Sequence, residues 1–247
     1  MAIQFNDTTN KLGLIQECES GLFGDDYGAI SGNTKKLKTF TRLLNLGLSR
    51  YSALVRNADT RWSFHDSNYT THPIGKTTLV AGQKDYTLAE IHEQIRQVYV
   101  KDVNGKDVPL IPIDEYDIAK QNVAPTQFMS EDGMPKYYDK MGRSLILYPA
   151  PAVGSFTASE GLVVSYVSSP SFFESTDTDK TAGIEPVFQD YPAIFAKRHY
   201  AMNNQMQKKA NSFTEQLGDM EVLIVEHYSK RDRDDKQGMR AKKRSYK

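Results

Sequence analysis

Gly133-Met134-Pro135-Lys136-Tyr137-Tyr138-Asp139-Lys140-Met141-Gly142-Arg143-Ser144-Leu145-Ile146-Leu147-Tyr148-Pro149-Ala150-Pro151 is the stretch whose reading decides the fold. Its apolar and aromatic residues fall into two short runs, 136–139 and 145–148, on either side of Met141-Gly142-Arg143, where the glycine reads as a tight reversal. Pro149 and Pro151 cannot donate a ladder hydrogen bond, so they mark strand ends or edges. The stretch reads as strand, turn, strand.

Working outward, the same texture of short runs between turn formers covers residues 61–170, with further strands expected at 77–80, 97–101, 108–111 and 162–167. Asn104-Gly105 is a strong hairpin signal because both residues accept positive φ. The middle of the chain is therefore expected to form a small antiparallel sheet or barrel.

Both flanks switch to three- and four-residue spacing, the period of helices. On the amino side Leu12, Ile15, Cys18 and Leu22 share a face, and Gly21 and Gly24 punctuate its end. After a loop at 24–32, a second helix is expected to begin near the capping residues Asn33 and Thr34 and to run to about 57. Its main stripe is Leu37, Phe40, Leu44, Leu48, Tyr51 and Val55. Leu43, Leu46 and Leu54 stand off that stripe, so the helix is apolar on more than one side and is expected to lie between two neighbours, one of them another subunit. Those three leucines are the candidate subunit interface.

Beyond a polar segment at 168–185, Phe188, Tyr191, Phe195, Met202, Met206, Phe213, Leu217, Met220, Ile224 and Tyr228 return to helical spacing. Pro192 fits only a first turn, with Asp190 as the cap, so a helix should start there and run to about 229. Unbroken, it would reach about 60 Å at ~1.5 Å per residue, which leaves room for a break between 203 and 212.

The 247 residues carry 31 Lys plus Arg against 31 Asp plus Glu. The zero sum hides a segregation. Residues 230–247 hold nine basic and three acidic groups, a net of +6, so residues 1–229 carry 22 basic and 28 acidic groups, a net of −6. The tail has almost nothing to bury and is expected to be disordered alone in solution, ordering on a partner. Its candidate docking residues are Lys230, Arg231, Arg233, Arg240, Lys242, Lys243, Arg244 and Tyr246. An acidic body argues against DNA binding as the main task. Counting Gly in place of Tyr, the apolar share is about 40%, below the roughly 45–50% usual for globular domains, which fits an elongated or subunit-dependent shape. No stretch approaches the ~20 apolar residues of a membrane span, and the opening residues, without a basic run followed by an apolar one, are not expected to act as a leader.

Motifs for chemistry dissolve on inspection. Gly75-Lys76-Thr77-Thr78 matches the end of a phosphate-binding loop, but Thr70 stands where its first glycine belongs and the run continues as a strand. His92-Glu93-Gln94-Ile95-Arg96 matches half of a zinc-protease helix, with Arg96 in place of the second ligand. His65, His72, His92, His199 and His227 form no local pair at metal-ligand spacing. His199 reads as a packing histidine and Cys18 as inert packing on an apolar stripe. Asp177 and Asp179 lack the glycine and glutamate of a calcium loop. No nucleophile elbow or dinucleotide fingerprint is present, so no catalytic residue, cofactor or metal is expected. Tyr137-Tyr138 and Phe172-Phe173 read as core or interface, since aromatics are enriched at protein interfaces.

One arrangement is familiar. Gly82-Gln83-Lys84-Asp85-Tyr86-Thr87-Leu88, then Val98-Tyr99-Val100 and a hairpin, then Gly133-Met134-Pro135-Lys136-Tyr137-Tyr138, Leu145-Ile146-Leu147-Tyr148-Pro149-Ala150-Pro151 and Val164-Ser165-Tyr166 resembles the head-to-tail connector, or adaptor, proteins of tailed bacteriophages. Phe188-Gln189-Asp190-Tyr191-Pro192-Ala193-Ile194 stands where that family starts its carboxyl helices. The resemblance covers most of residues 8–229, with no counterpart placed for the loop at 24–32 or the tail.

It implies a structural virion protein with no reaction of its own. The subunits would form a homo-oligomeric ring, commonly a dodecamer, at the neck of the virion, assembled in the host cytoplasm. Its partners would be the portal protein, further copies of itself, a tail or second connector protein, and genomic DNA passing through the lumen without sequence-specific binding. No membrane is involved. The fold expected is α+β: an N-terminal helical part at 1–60, a β-rich block at 61–170, a C-terminal helical part at 171–229 packing with the first, and the basic tail at 230–247. The rival readings are a carbohydrate- or receptor-binding virion tail module, using the aromatic β block as ligand face, and a hydrolase with an unrecognised site.

Overall fold

The computed structural model describes residues 3–24, 26–58, 74–88, 92–113 and 132–234. They form four α-helices and ten strands: α1 (Leu14–Phe23), α2 (Thr34–Ala58), β1 (Ile74–Thr77), β2 (Asp85–Thr87), β3 (His92–Lys101), β4 (Asp107–Pro109), β5 (Ile111–Pro112), β6 (Asp132–Gly133), β7 (Tyr137–Met141), β8 (Ser144–Tyr148), β9 (Ala150–Pro151), β10 (Leu162–Ser168), α3 (Tyr191–Asn203) and α4 (Gln207–Asp234). The class is mixed α+β. Two compact units emerge, one from both ends of the chain (Met1–Thr70 with Pro170–Lys247) and one from its middle (Thr71–Ser169).

In the middle unit the opening stretch is the hairpin its residues predict. β7 and β8 pair antiparallel from Tyr137↔Tyr148 to Met141↔Ser144, leaving Gly142 and Arg143 as a two-residue turn, with Gly142 at φ +58°. Asn104-Gly105 closes the second hairpin, β3 to β4. Asp102 Oδ1 accepts from the Asn104 and Lys106 amides at 2.8 and 3.0 Å, and Gly105 takes φ +75°. A left-handed residue at such a point costs glycine nothing.

The expected single sheet or barrel is instead two four-stranded sheets, ordered β1-β10-β3-β4 and β2-β8-β7-β5, plus the small pair β6-β9. No closed barrel is found among the described residues. Most pairings are antiparallel, but β5–β7 and β6–β9 are parallel. Leu79, Tyr86, Val98, Val100, Tyr138, Leu145, Leu147, Leu162 and Val164, drawn from or beside strands of both sheets, form one core. β10 lies between β1 and β3 and is buried at all but one position, which is why Leu162-Val163-Val164 does not alternate.

The end unit is built around α3. Tyr191, Pro192, Ala193, Ile194, Phe195, Ala196 and Lys197 are buried in succession, so the first two turns of this helix present no face to solvent, and α1, α2 and α4 all pack on the helix. Gly47 lets α2 approach closely: a Cβ there would lie 3.0 Å from Pro192 Cα. α2 starts as predicted, with Asn33 Oδ1 accepting from the Lys35 and Lys36 amides at 3.1 Å. α1 starts later than predicted. Asp7 Oδ1 holds the Thr9 and Asn10 amides in a turn, Lys11 is left-handed, and Leu12 precedes the helix and is exposed.

The long carboxyl helix is a pair, broken at residues 204–206. Gln205 takes φ +60°, and the Met206 amide bonds the Ala201 carbonyl at 2.9 Å. Asp190 occupies the cap position but makes no side-chain cap hydrogen bond, and Pro192 sits in the first turn. The polar segment before it docks on the chain's beginning: the Phe5 and Asn6 amides bond the Lys180 and Thr178 carbonyls, and Phe5 stacks on Phe173.

Candidate functional site

The motifs weighed in the sequence take the following places where they are described. Gly75-Lys76-Thr77 lies in β1, where Lys76 Nζ pairs with Glu160 at 2.9 Å, so no helix N-terminus stands ready for phosphate. The His92 to Arg96 run is part of β3. His199 stacks on Phe195 at 4.4 Å, and burial first, then Arg198 and Arg42, push its imidazole below the ordinary value. His65 and His72 lie outside the described residues. Asp177 Oδ2 accepts from the Glu174 amide and pairs with Lys180, as a loop-bracing carboxyl group does. Burial pushes the Cys18 thiol up to about 12, which makes it packing and not a nucleophile. Among the described residues no cluster of His, Cys, Asp or Glu could hold a metal, and no helix is long and apolar enough to cross a membrane.

The outer faces of the helical unit have more to say. The three leucines set apart in α2 go three ways: Leu43 is buried in the chain's own core, Leu54 is half-buried, and Leu46 is 46% exposed. Leu43 is thus removed from the candidate subunit interface, because the unit's own packing reaches further round α2 than its main stripe implied. α2 also contains Lys35, Lys36, Lys38, Arg42, Arg50 and Arg56 and no acidic residue, a local concentration of positive charge inside the acidic body.

α4 buries only a narrow stripe, Ala210, Phe213, Leu217, Ile224 and Tyr228. Val222, Leu223 and Val225 point outward, at 59%, 56% and 40% exposure. The sequence reading missed these three. The signal was present in Val222-Leu223-Ile224-Val225, because four consecutive apolar residues on a helix cannot all face one neighbour.

Polar links hold the helices in register beneath these faces. Arg50 grips Glu221 with two hydrogen bonds of 3.1 Å, and the Tyr191 hydroxyl donates to the same carboxylate at 2.9 Å. The Arg50 bonds hold Glu221 below the usual carboxyl range despite the upward push of burial. The Tyr51 and Tyr228 hydroxyls meet at 2.8 Å in the buried layer. Lys197, only 5% exposed at its side chain, reaches Glu17 on α1 at 2.7 Å. These ties connect segments distant in sequence, which no local spacing could reveal.

The described part of the loop after α1, residues 26–32, is held by the chain itself. Glu19 Oε1 accepts from the Ile30 and Ser31 amides at 2.8 and 2.6 Å and from the Ser31 hydroxyl at 2.9 Å, and Ile30 is fully buried. Of the tail residues, Lys230, Arg231 and Arg233 continue the backbone of α4, which runs to Asp234 and not to about 229. Arg240, Lys242, Lys243, Arg244 and Tyr246 lie outside the described residues.

Exposed apolar and charged helix faces are surfaces of the kind that bind other proteins. Comparison with curated proteins gives no match. The family model for the SU10 adaptor protein matches residues 13–242, which takes in the loop and most of the tail as well as both folded units. The chain belongs to the SU10 adaptor protein family, a structural family of phage head-to-tail adaptors.

Proposed function

We propose that the chain is one subunit of a ring, of twelve copies by the resemblance, that binds beneath the portal, encloses the path of the genome and offers the tail an attachment surface. The observation that carries this reading is the family match over residues 13–242. Exposed Leu46, Val222, Leu223 and Val225 support it, since apolar residues left outside a unit with its own core gain from burial against a partner at about 25 cal/mol per Å². The helical parts at 1–60 and 171–229 carry the ring contacts in this proposal, and the basic tail at 230–247 docks on the portal or a neighbouring subunit. The net negative charge of residues 1–229 suits a conduit that repels phosphate.

Electron microscopy of the purified chain, alone and mixed with its portal ring, tests the reading. Annular particles, or an added ring on the portal, are expected; monomers in both samples refute it. Deleting residues 230–247 should weaken portal attachment at physiological salt, and unchanged attachment removes the tail from the proposal.

A further inference from the structure

Two outward faces of the helical unit match in spacing and oppose in charge. On α2, Lys38, Arg42 and Leu46 follow one another at intervals of four, on the side opposite the buried stripe of Phe40, Leu44, Leu48, Tyr51 and Val55, and all three are exposed. On α4, Glu215, Asp219 and Leu223 follow one another at intervals of four, with Val222 beside Leu223, opposite the buried stripe of Phe213, Leu217, Ile224 and Tyr228. Residues at such spacing share a face. Each triplet spans about 12 Å of helix at ~1.5 Å per residue. Among the described residues no ion pair involves Lys38, Arg42, Glu215 or Asp219. The link between α2 and α4 within the chain uses other residues, Arg50 with Glu221 and Tyr51 with Tyr228.

We infer that α2 of one copy packs parallel to α4 of the next, with Lys38 against Glu215, Arg42 against Asp219, and Leu46 against Val222 and Leu223. The inference rests on the ring reading and names the two surfaces that meet in it. Charge decides the pairing. A symmetric dimer through α2 would set cations against cations, and one through α4 would set carboxylates against carboxylates; only the unlike contact places opposite charges together. Direction follows from the same residues: an antiparallel contact would press Lys38 on Val222 and Leu46 on Glu215, leaving charges desolvated without partners. A contact between two different faces is heterologous, so it propagates from copy to copy and closes into a ring when the rotation allows.

The test uses the full chain with Leu46→Cys and Val222→Cys together, under mild oxidation. Cys18 is fully buried and does not compete. A ladder of disulfide-linked dimers, trimers and higher species is expected from the double variant, and none from either single variant. Independently, R42E and D219R should each weaken self-association by about tenfold or more, as like-charge contacts do, and the combined R42E/D219R chain should recover most of the loss. If wild-type chains form rings while the ladder is missing and charge reversal has no effect, this pairing is wrong and the ring reading stands. If wild-type chains neither form rings, alone or on the portal, nor give a ladder, both fall. Cross-linking of L46C alone would overturn the heterologous contact in favour of a symmetric one.

Discussion

Glu19 offers the sharpest quantitative test of the helical unit. Its side chain is fully buried, and one oxygen serves three donors of the 26–32 loop: the Ile30 amide, the Ser31 amide and the Ser31 hydroxyl. The other oxygen, Oε2, is buried without a hydrogen-bond partner. Glu19→Ala removes the acceptor and leaves the donors behind. The Ile30 amide has no route to water and costs about 1–3 kcal/mol when orphaned. The Ser31 groups are half-buried and recover part of their bonding from solvent, adding about 1 kcal/mol, so the total is about 3 kcal/mol. That corresponds to about a hundredfold in the opening equilibrium of the loop. Glu19→Gln keeps an acceptor at the first oxygen but puts an NH₂ donor where Oε2 meets nothing, so its cost is about 1 kcal/mol. Native-state hydrogen exchange at the Ile30 and Ser31 amides reads this directly, and denaturant unfolding reads the global part. The expected order of loss is Ala well beyond Gln. Equal protection of both amides in wild type and E19A, or a stability change below about 0.5 kcal/mol, would refute the reasoning that this carboxyl group holds the loop.

Other perturbations address separate contacts. Tyr51→Phe and Tyr228→Phe each remove one side of the 2.8 Å hydroxyl pair, and a double-mutant cycle by denaturant unfolding should return a coupling of about 1 kcal/mol; a coupling indistinguishable from zero contradicts the pair. Glu221 has a folded-state pKa lowered by Arg50, so its contribution to stability is present above its unfolded value near 4.5 and is lost as pH falls through the folded value. Wild type should therefore exceed Glu221→Gln in stability at neutral pH, and the two unfolding curves should converge under acid; parallel curves across that window would exclude the linkage. Cys18 should resist thiol reagents at neutral pH in the folded chain and react at once in denaturant, and fast labelling of folded protein would mean that the α1–α3 contact is open in solution.

The short-range features were legible because local chemistry alone decides them. Gly142 and Gly105 turn the chain through positive φ, Asn33 caps α2, and Pro192 begins α3, whatever lies elsewhere. From these and from the two periods, 2 in the middle and 3.6 at the ends, the α+β class and the order of elements follow. The turn at 204–206 was harder to read, because the apolar spacing runs on past it from Met202 to Met206 while the helix breaks at the left-handed Gln205.

What only the tertiary structure decided is which neighbour covers each apolar side. The sequence shows that Leu43 and Leu46 both leave the main stripe of α2, but burial depends on what packs alongside, and the structure buries the first and exposes the second. Likewise the division of the strands into two sheets, the parallel pairings of β5 and β9, and the position of α3 among α1, α2 and α4 come from long-range contacts that periodicity does not encode. A repeat of 2 or 3.6 residues reports how side chains are distributed around one element. Which of those sides becomes core, and which is left for another copy, is set by segments more than a hundred residues away in the chain, as the 2.8 Å contact between Tyr51 and Tyr228 illustrates.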